Sequence, residues 1–129
     1  MSGRRSTTAK GQAFETLALE HLTNQHGCRL VARNHRCPLG EIDLVVWDAE
    51  VLAFVEVRGR RTNAYGSPLQ TITTAKMRRI VRAARHFMHT RWHGPWPSLR
   101  FDAVGVTLGK PPSIQWIRAA FDANGPIHH

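Results

Sequence analysis

The stretch Gly40–Arg60, GEIDLVVWDAEVLAFVEVRGR, decides the fold. Two apolar runs flank a short polar break, DAE, and both carry the β-branched and aromatic residues that suit a pleated surface. They are read as a β-hairpin. With the turn centred between Ala49 and Glu50, Asp43 faces Glu56 and Glu41 faces Arg58. Alternation then puts Glu41, Asp43, Val45 and Trp47 on one face with Leu52, Phe54, Glu56 and Arg58. Ile42, Leu44 and Val46 share the other with Ala53, Val55 and Val57. The second face is wholly apolar and has to be buried. The first is apolar near the turn and charged at its far end.

Two carboxylates directly opposed in a sheet cost up to ~1 kcal/mol even when exposed. Half-buried beside Val45 and Phe54, one of them should have a raised pKa unless a cation lies between them. A divalent ion gives such a pair a purpose, because Mg²⁺ favours one or two protein carboxylates and otherwise water or phosphate oxygens. The competing reading is an edge hairpin whose charged end faces water. A slip of one residue would send Asp43 and Glu56 to opposite faces, and the turn is not the Asn-Gly or Asp-Gly type that fixes register.

Upstream, TTAKGQAFETLALEHLTNQHG spaces Phe14, Leu17, Ala18 and Leu22 as one face of a helix, with Thr8 as N-cap and Gly27 as stop. Glu15 lies about 100° round from Phe14, at the edge of that stripe. CRLVARN is a short strand and HRCPLG the turn after it. Downstream of the hairpin comes a Gly/Pro/Asn-rich loop, then a second helix from Thr73 to about Arg91. Its core stripe is Met77, Ile80, Val81, Ala84, Phe87 and Met88, and its other side carries Arg78, Arg82, Arg85 and His89. LRFDAVGVTL and SIQWIRA read as two closing strands, with Asp102 in a structural contact to backbone or arginine. The order of elements predicts an α/β fold with a mixed central sheet flanked by helices.

The 129 residues suit one domain, assigned to 9–121, after a basic arm at 1–8 and before a tail at 122–129. No apolar run reaches the ~20 residues of a membrane span, and the basic start lacks the apolar stretch of a secretory signal. No membrane association and a cytoplasmic location are expected. His26, Cys28, His35 and Cys37 have the wrong spacing for a four-ligand zinc site, so Cys28 and Cys37 are read as free thiols. The net charge is +9, and between Glu56 and Asp102 the chain carries ten Lys and Arg with no acid. A field of one sign over that length suits a polyanion. Arg78, Arg82 and Arg85 are candidates for phosphate contacts. Trp92 and Trp96, in RWHGPWP, are read first as loop packing and second as a base-stacking platform.

Taken together, GQAFETLA, GEID, EVR after twelve intervening residues, YGSPLQTITTAK and RFD resemble the YraN-like family of small endonuclease-like proteins. The resemblance runs from about Gly11 to Phe121. That family belongs by fold to the PD-(D/E)xK nucleases and is similar to archaeal Holliday-junction resolvases. The resemblance therefore implies a restriction-endonuclease-like fold and Mg²⁺- or Mn²⁺-dependent hydrolysis of DNA phosphodiesters, at branched or structured DNA. It implies Asp43, Glu56 and Glu15 as metal ligands, with the Val57 carbonyl as a further contributor. Arg58 stands where the family's superfamily carries a catalytic Lys. Arg60, Arg61, Gln70 and Lys76 fall in the segment that would meet the nucleic acid, and resolvases of this kind often act as symmetric homodimers, which leaves the oligomeric state of this chain open. Arginine supplies fixed charge but not a base at working pH. The alternative is accordingly a non-catalytic DNA- or RNA-binding module on a nuclease scaffold, and a weaker one is a domain whose basic face meets an acidic protein.

Overall fold

The hairpin forms in the expected register. In a computed structural model that describes residues 9–62 and 66–127, strand β2 (Gly40–Asp48) pairs antiparallel with β3 (Val51–Arg60), from Asp48–Val51 to Leu44–Val55. Ala49 turns the chain in the left-handed region, at φ 53°. β3 is central, and Leu52 to Glu56 are all buried.

Strand β1 (Arg29–Cys37) pairs antiparallel with β2 on one side. It runs on through His35, Arg36 and Cys37, residues expected in a turn, and the turn itself is Pro38–Leu39. Beyond β3 the chain forms a 3-10 turn at Pro68–Thr71 and then helix α2 (Thr74–Arg91), which returns it to β4 (Ser98–Thr107), parallel to β3. Strand β5 (Ser113–Ile117) closes the five-stranded sheet in the order β1-β2-β3-β4-β5. A small hairpin, β6 (Phe121–Asp122) and β7 (Gly125–Pro126), occupies part of the expected tail and buries Phe121.

One helix covers each face. Helix α1 (Ala9–Glu20) continues into a π-helical turn, His21–Gln25, and ends where Gly27 takes φ 72°. Phe14, Ala18 and Leu22 pack on Leu44, Val46, Ala53, Val55, Val104 and Val106. On the opposite face Met77, Ile80, Val81, Ala84, Phe87 and Met88 of α2 pack on Val45, Leu52 and Phe54. Both stripes are those the sequence spacing requires. The proposed Thr8 cap and the arm at 1–8 lie outside the described residues. The mixed sheet with flanking helices is the expected architecture and is compatible with a restriction-endonuclease-like fold.

Strict alternation fails at the charged end of β2. Ile42, expected beside Leu44, joins Val45 in the core under α2. The physical reason is that the β2–β3 ladder stops at Leu44–Val55. Beyond it, Asp43 Oδ2 accepts the Val57 N–H at 2.8 Å, so a side chain replaces the next backbone pairing. β2 stays with β1, where His35 opposes Ile42 and Arg36 opposes Glu41. The expected Glu41–Arg58 opposition is thereby lost. Glu41 faces Arg36 at 3.7 Å, and Arg58 turns to Glu56 at 2.9 Å.

Candidate functional site

The gap between β2 and β3 is where the acids gather. Asp43 comes from β2, Glu56 from β3 and Glu15 from the first turns of α1. Asp43 and Glu56 share a hydrogen bond, and Glu15 lies close enough to feel the Asp43 charge. Glu15 and Glu56 are buried, and Asp43 is half-buried.

Gly59 admits α1 to this position. A Cβ at that residue would stand 2.1 Å from the Phe14 ring, so only glycine lets the helix bring its neighbour Glu15 down to the sheet. The approach depends on a missing side chain, not on backbone freedom.

Crowding acids in a desolvated gap raises all three carboxyls. Burial, with Asp43 next, pushes Glu56 up to about 8. Burial and Asp43 push Glu15 to about 7, with Arg33 opposing. Asp43 also rises by burial, against the stabilising Val57 N–H. At neutral pH Glu56 therefore keeps the proton it shares with Asp43. Glu15 Oε1 is buried without a hydrogen bond, with Arg33 Nη2 3.9 Å away.

Two cations border the acids. Lys76, in the first turn of α2, is placed by Thr73, whose hydroxyl caps the helix by accepting the Lys76 N–H at 3.1 Å. Its charge acts on both Asp43 and Glu56. Arg58 bonds Glu56 through Nη2, while its Nε is buried without a partner. Beside Lys76 opens a cavity of about 460 Å³, bordered also by Arg36, Cys37, Glu41 and Arg79.

The remaining candidates divide. Val57 meets the site by its N–H, which donates to Asp43 Oδ2. Arg60 ends β3 half-buried, and Arg61 follows it into solvent. Gln70 is exposed on the 3-10 turn with its amide over Gly66, bordering a different cavity beside Phe121 and Pro126. Arg78, Arg82 and Arg85 are exposed on the outer side of α2. Trp92 packs edge-on against Trp47 and donates to the Pro95 carbonyl, the loop-packing role ranked first, whereas Trp96 is exposed.

Asp102 is structural, as read. It is fully buried, takes Arg100 through both oxygens at 2.8 Å, and accepts Trp116 Nε1–H and the Ala119 N–H at 3.0 Å. Arg100 also reaches Asp48 at 2.7 Å. This clamp ties β4 to β5 and to the β2 end. Arg36 and Arg79 at the cavity were not singled out from sequence. Arg36 was read as turn material, and Arg79 lies between the core and solvent faces of α2.

The described residues thus define a mixed α/β protein with a buried, proton-sharing carboxylate cluster flanked by Lys76 and Arg58. No helix among them is long and apolar enough to cross a membrane. The chain belongs to the uncharacterised protein family UPF0102, whose model matches residues 14–106. It is 47% identical over 116 residues to a UPF0102 protein of Chromohalobacter salexigens, covering 88% of this chain and 91% of that one. It is 50% identical over 127 residues to one of Paracidovorax citrulli, covering 95% and 90%. All of the site carboxylates, Arg58 and Lys76 fall inside the matched segment.

Proposed function

We propose that this protein is a divalent-metal-dependent endonuclease of the PD-(D/E)xK type, hydrolysing phosphodiesters of branched or structured DNA. The observation that carries the reading is the convergence of Glu15, Asp43 and Glu56, with a buried acceptor left without a hydrogen bond on Glu15 (Oε1) and a buried donor left without one on Arg58 (Nε). Three acids with raised pKa values call for a cation, and an unsatisfied guanidinium N–H calls for an anionic oxygen. All-carboxylate donors fit a hard ion, Mg²⁺ or Mn²⁺.

Asp43, Glu56 and Glu15 would hold the ion, giving up the shared proton on doing so. Such an ion supplies polarisation of a phosphoryl oxygen and a bound water of lowered pKa. The Val57 N–H fixes the Asp43 carboxylate. Glu15, on a separate element, would orient a metal-bound water. Arg58 and Lys76 stabilise the charge that develops on the phosphate. Arg58 cannot serve as a base, so any amine role falls to Lys76. Arg78, Arg82 and Arg85 give the duplex a sequence-independent phosphate track. A branched substrate with two-fold symmetry suits a homodimer.

A second reading has its own observation. Arg58 already bonds Glu56 at 2.9 Å, a fixed positive charge at the acids that would let the fold bind nucleic acid without an ion. Titration of Mn²⁺ into wild type and Asp43→Asn, with and without a four-way DNA junction, followed by cleavage assays, separates the two. Metal binding that needs Asp43, with cleavage, supports the nuclease. Salt-sensitive junction binding with neither metal uptake nor cleavage replaces it with the binding module.

A further inference from the structure

The four residues rejected as a zinc set from their spacing do not stay together. His26 stacks near His21 and Trp116, and Cys28 is buried in the core beneath α1. His35 and Cys37, two apart on β1, instead meet His86 of α2. Their ligand atoms all lie within 4.8 Å of one another.

We propose that His35, Cys37 and His86 form a binding site for Zn²⁺, separate from the carboxylate cluster. The donor set is the first support. Two imidazoles and a thiolate are borderline-to-soft ligands, suited to zinc and poorly suited to Mg²⁺ or Mn²⁺. The second is geometry. His35 Nε2 and His86 Nδ1 stand 3.2 Å apart. Two nitrogens on a tetrahedral zinc, with bonds of ~2.0–2.1 Å, stand ~3.3 Å apart. The imidazoles are thus at coordinating separation; the hydrogen bond between them has to break as the rings tilt toward a shared ion, and the flexible Cys37 side chain has to close by about 1 Å for a Zn–S bond of ~2.3 Å. The third is burial. His35 is 5% exposed, with Phe87 edge-on at 5.2 Å, so its ring is already fixed in place.

Three protein ligands leave one position for water. Binding releases one proton, from the Cys37 thiol, and takes the lone pairs of neutral imidazoles. Arg91 Nη1 lies 3.5 Å from His35 Nδ1. With zinc on Nε2 the proton moves to Nδ1, which then repels Arg91. That arginine is exposed at the last residue of α2 and can swing away. The site shares no side chain with the acids, and His86 lies ten residues, about 15 Å, along α2 from Lys76.

The test titrates Co²⁺, then Zn²⁺, into the reduced, chelator-treated full chain. The expected result is a thiolate-to-Co²⁺ charge-transfer band that saturates at one ion per chain and is erased by one equivalent of Zn²⁺. Cys37→Ser should abolish the band. His86→Gln should lower Zn²⁺ affinity by more than ~100-fold, since even losing a group that merely orients a ligand costs about 10–100-fold. Arg91→Ala should tighten binding, and Asp43→Asn should leave it unchanged. No thiolate band in wild type overturns the proposal, and that result needs no variant to fold. A band that survives Cys37→Ser, or Zn²⁺ affinity that follows Asp43, overturns it equally.

Discussion

Replacing Glu56 by Gln isolates the cost of the carboxylate cluster. Its carboxyl is carried from 4.5 to about 8 by burial and by Asp43. Because the folded-state value is raised, the native protein binds this proton more tightly than the unfolded chain does. The associated stability is complete below about pH 4.5 and is lost as pH rises through about 8. Each tenfold change in proton affinity is worth ~1.4 kcal/mol, which sets an upper bound of ~5 kcal/mol. Water penetration and movement of Arg58 and Lys76 reduce this, so ~2 kcal/mol is expected, or roughly 6–10 °C in Tm for a chain of this size. Glutamine keeps an N–H to donate to Asp43 and carries no charge. Without metal, Glu56→Gln should therefore match wild type near pH 5 and melt higher by that amount near pH 9. Millimolar Mg²⁺ or Mn²⁺ should restore the wild type at pH 9 and leave the variant unmoved. Thermal melts followed by circular dichroism across pH 5–9 read both effects. Parallel pH profiles for the two proteins would refute the reasoning, because Glu56 would then ionise freely in the fold.

Gly59→Ala should cost about 1–3 kcal/mol, since its Cβ meets the Phe14 ring at 2.1 Å and α1 has to lift. Metal affinity should fall with it as Glu15 withdraws, which calorimetry on the folded variant measures. Asp102→Ala leaves Arg100 with Asp48 as its remaining partner, and Trp116 Nε1–H and the Ala119 N–H without an acceptor. The expected loss is about 3–5 kcal/mol by urea unfolding, with Mn²⁺ affinity retained in the folded fraction. Neutralising Arg78, Arg82 and Arg85 together should weaken junction binding and flatten its log–log salt dependence by up to ~3, read by fluorescence anisotropy. An unchanged slope would remove the outer face of α2 from the DNA path.

Most of the fold is written in local sequence. The apolar alternation of 40–60 sets the hairpin register, because a one-residue slip would put Leu44 and Val55 on the wrong face. The stripes on both helices were legible for the same reason, since burial repeats with the helical period. Asp43 and Glu56 could be paired because a hairpin fixes which residues oppose, and helical spacing put Glu15 at the edge of the α1 core stripe, but only the family resemblance joined Glu15 to that pair. What sequence could not decide lies where regular pairing ends. The Val57 N–H takes the Asp43 side chain, β2 leaves β3, Ile42 changes face, and Arg58 exchanges Glu41 for Glu56. No periodic rule contains a ladder that stops. Likewise, meeting His86 with His35 and Cys37 requires α2 to be laid across β1, a long-range contact with no local signature. Periodicity follows from the geometry of one element, so the sequence alone determines it. The approach of two elements depends on everything packed between them, and only the tertiary structure decides it.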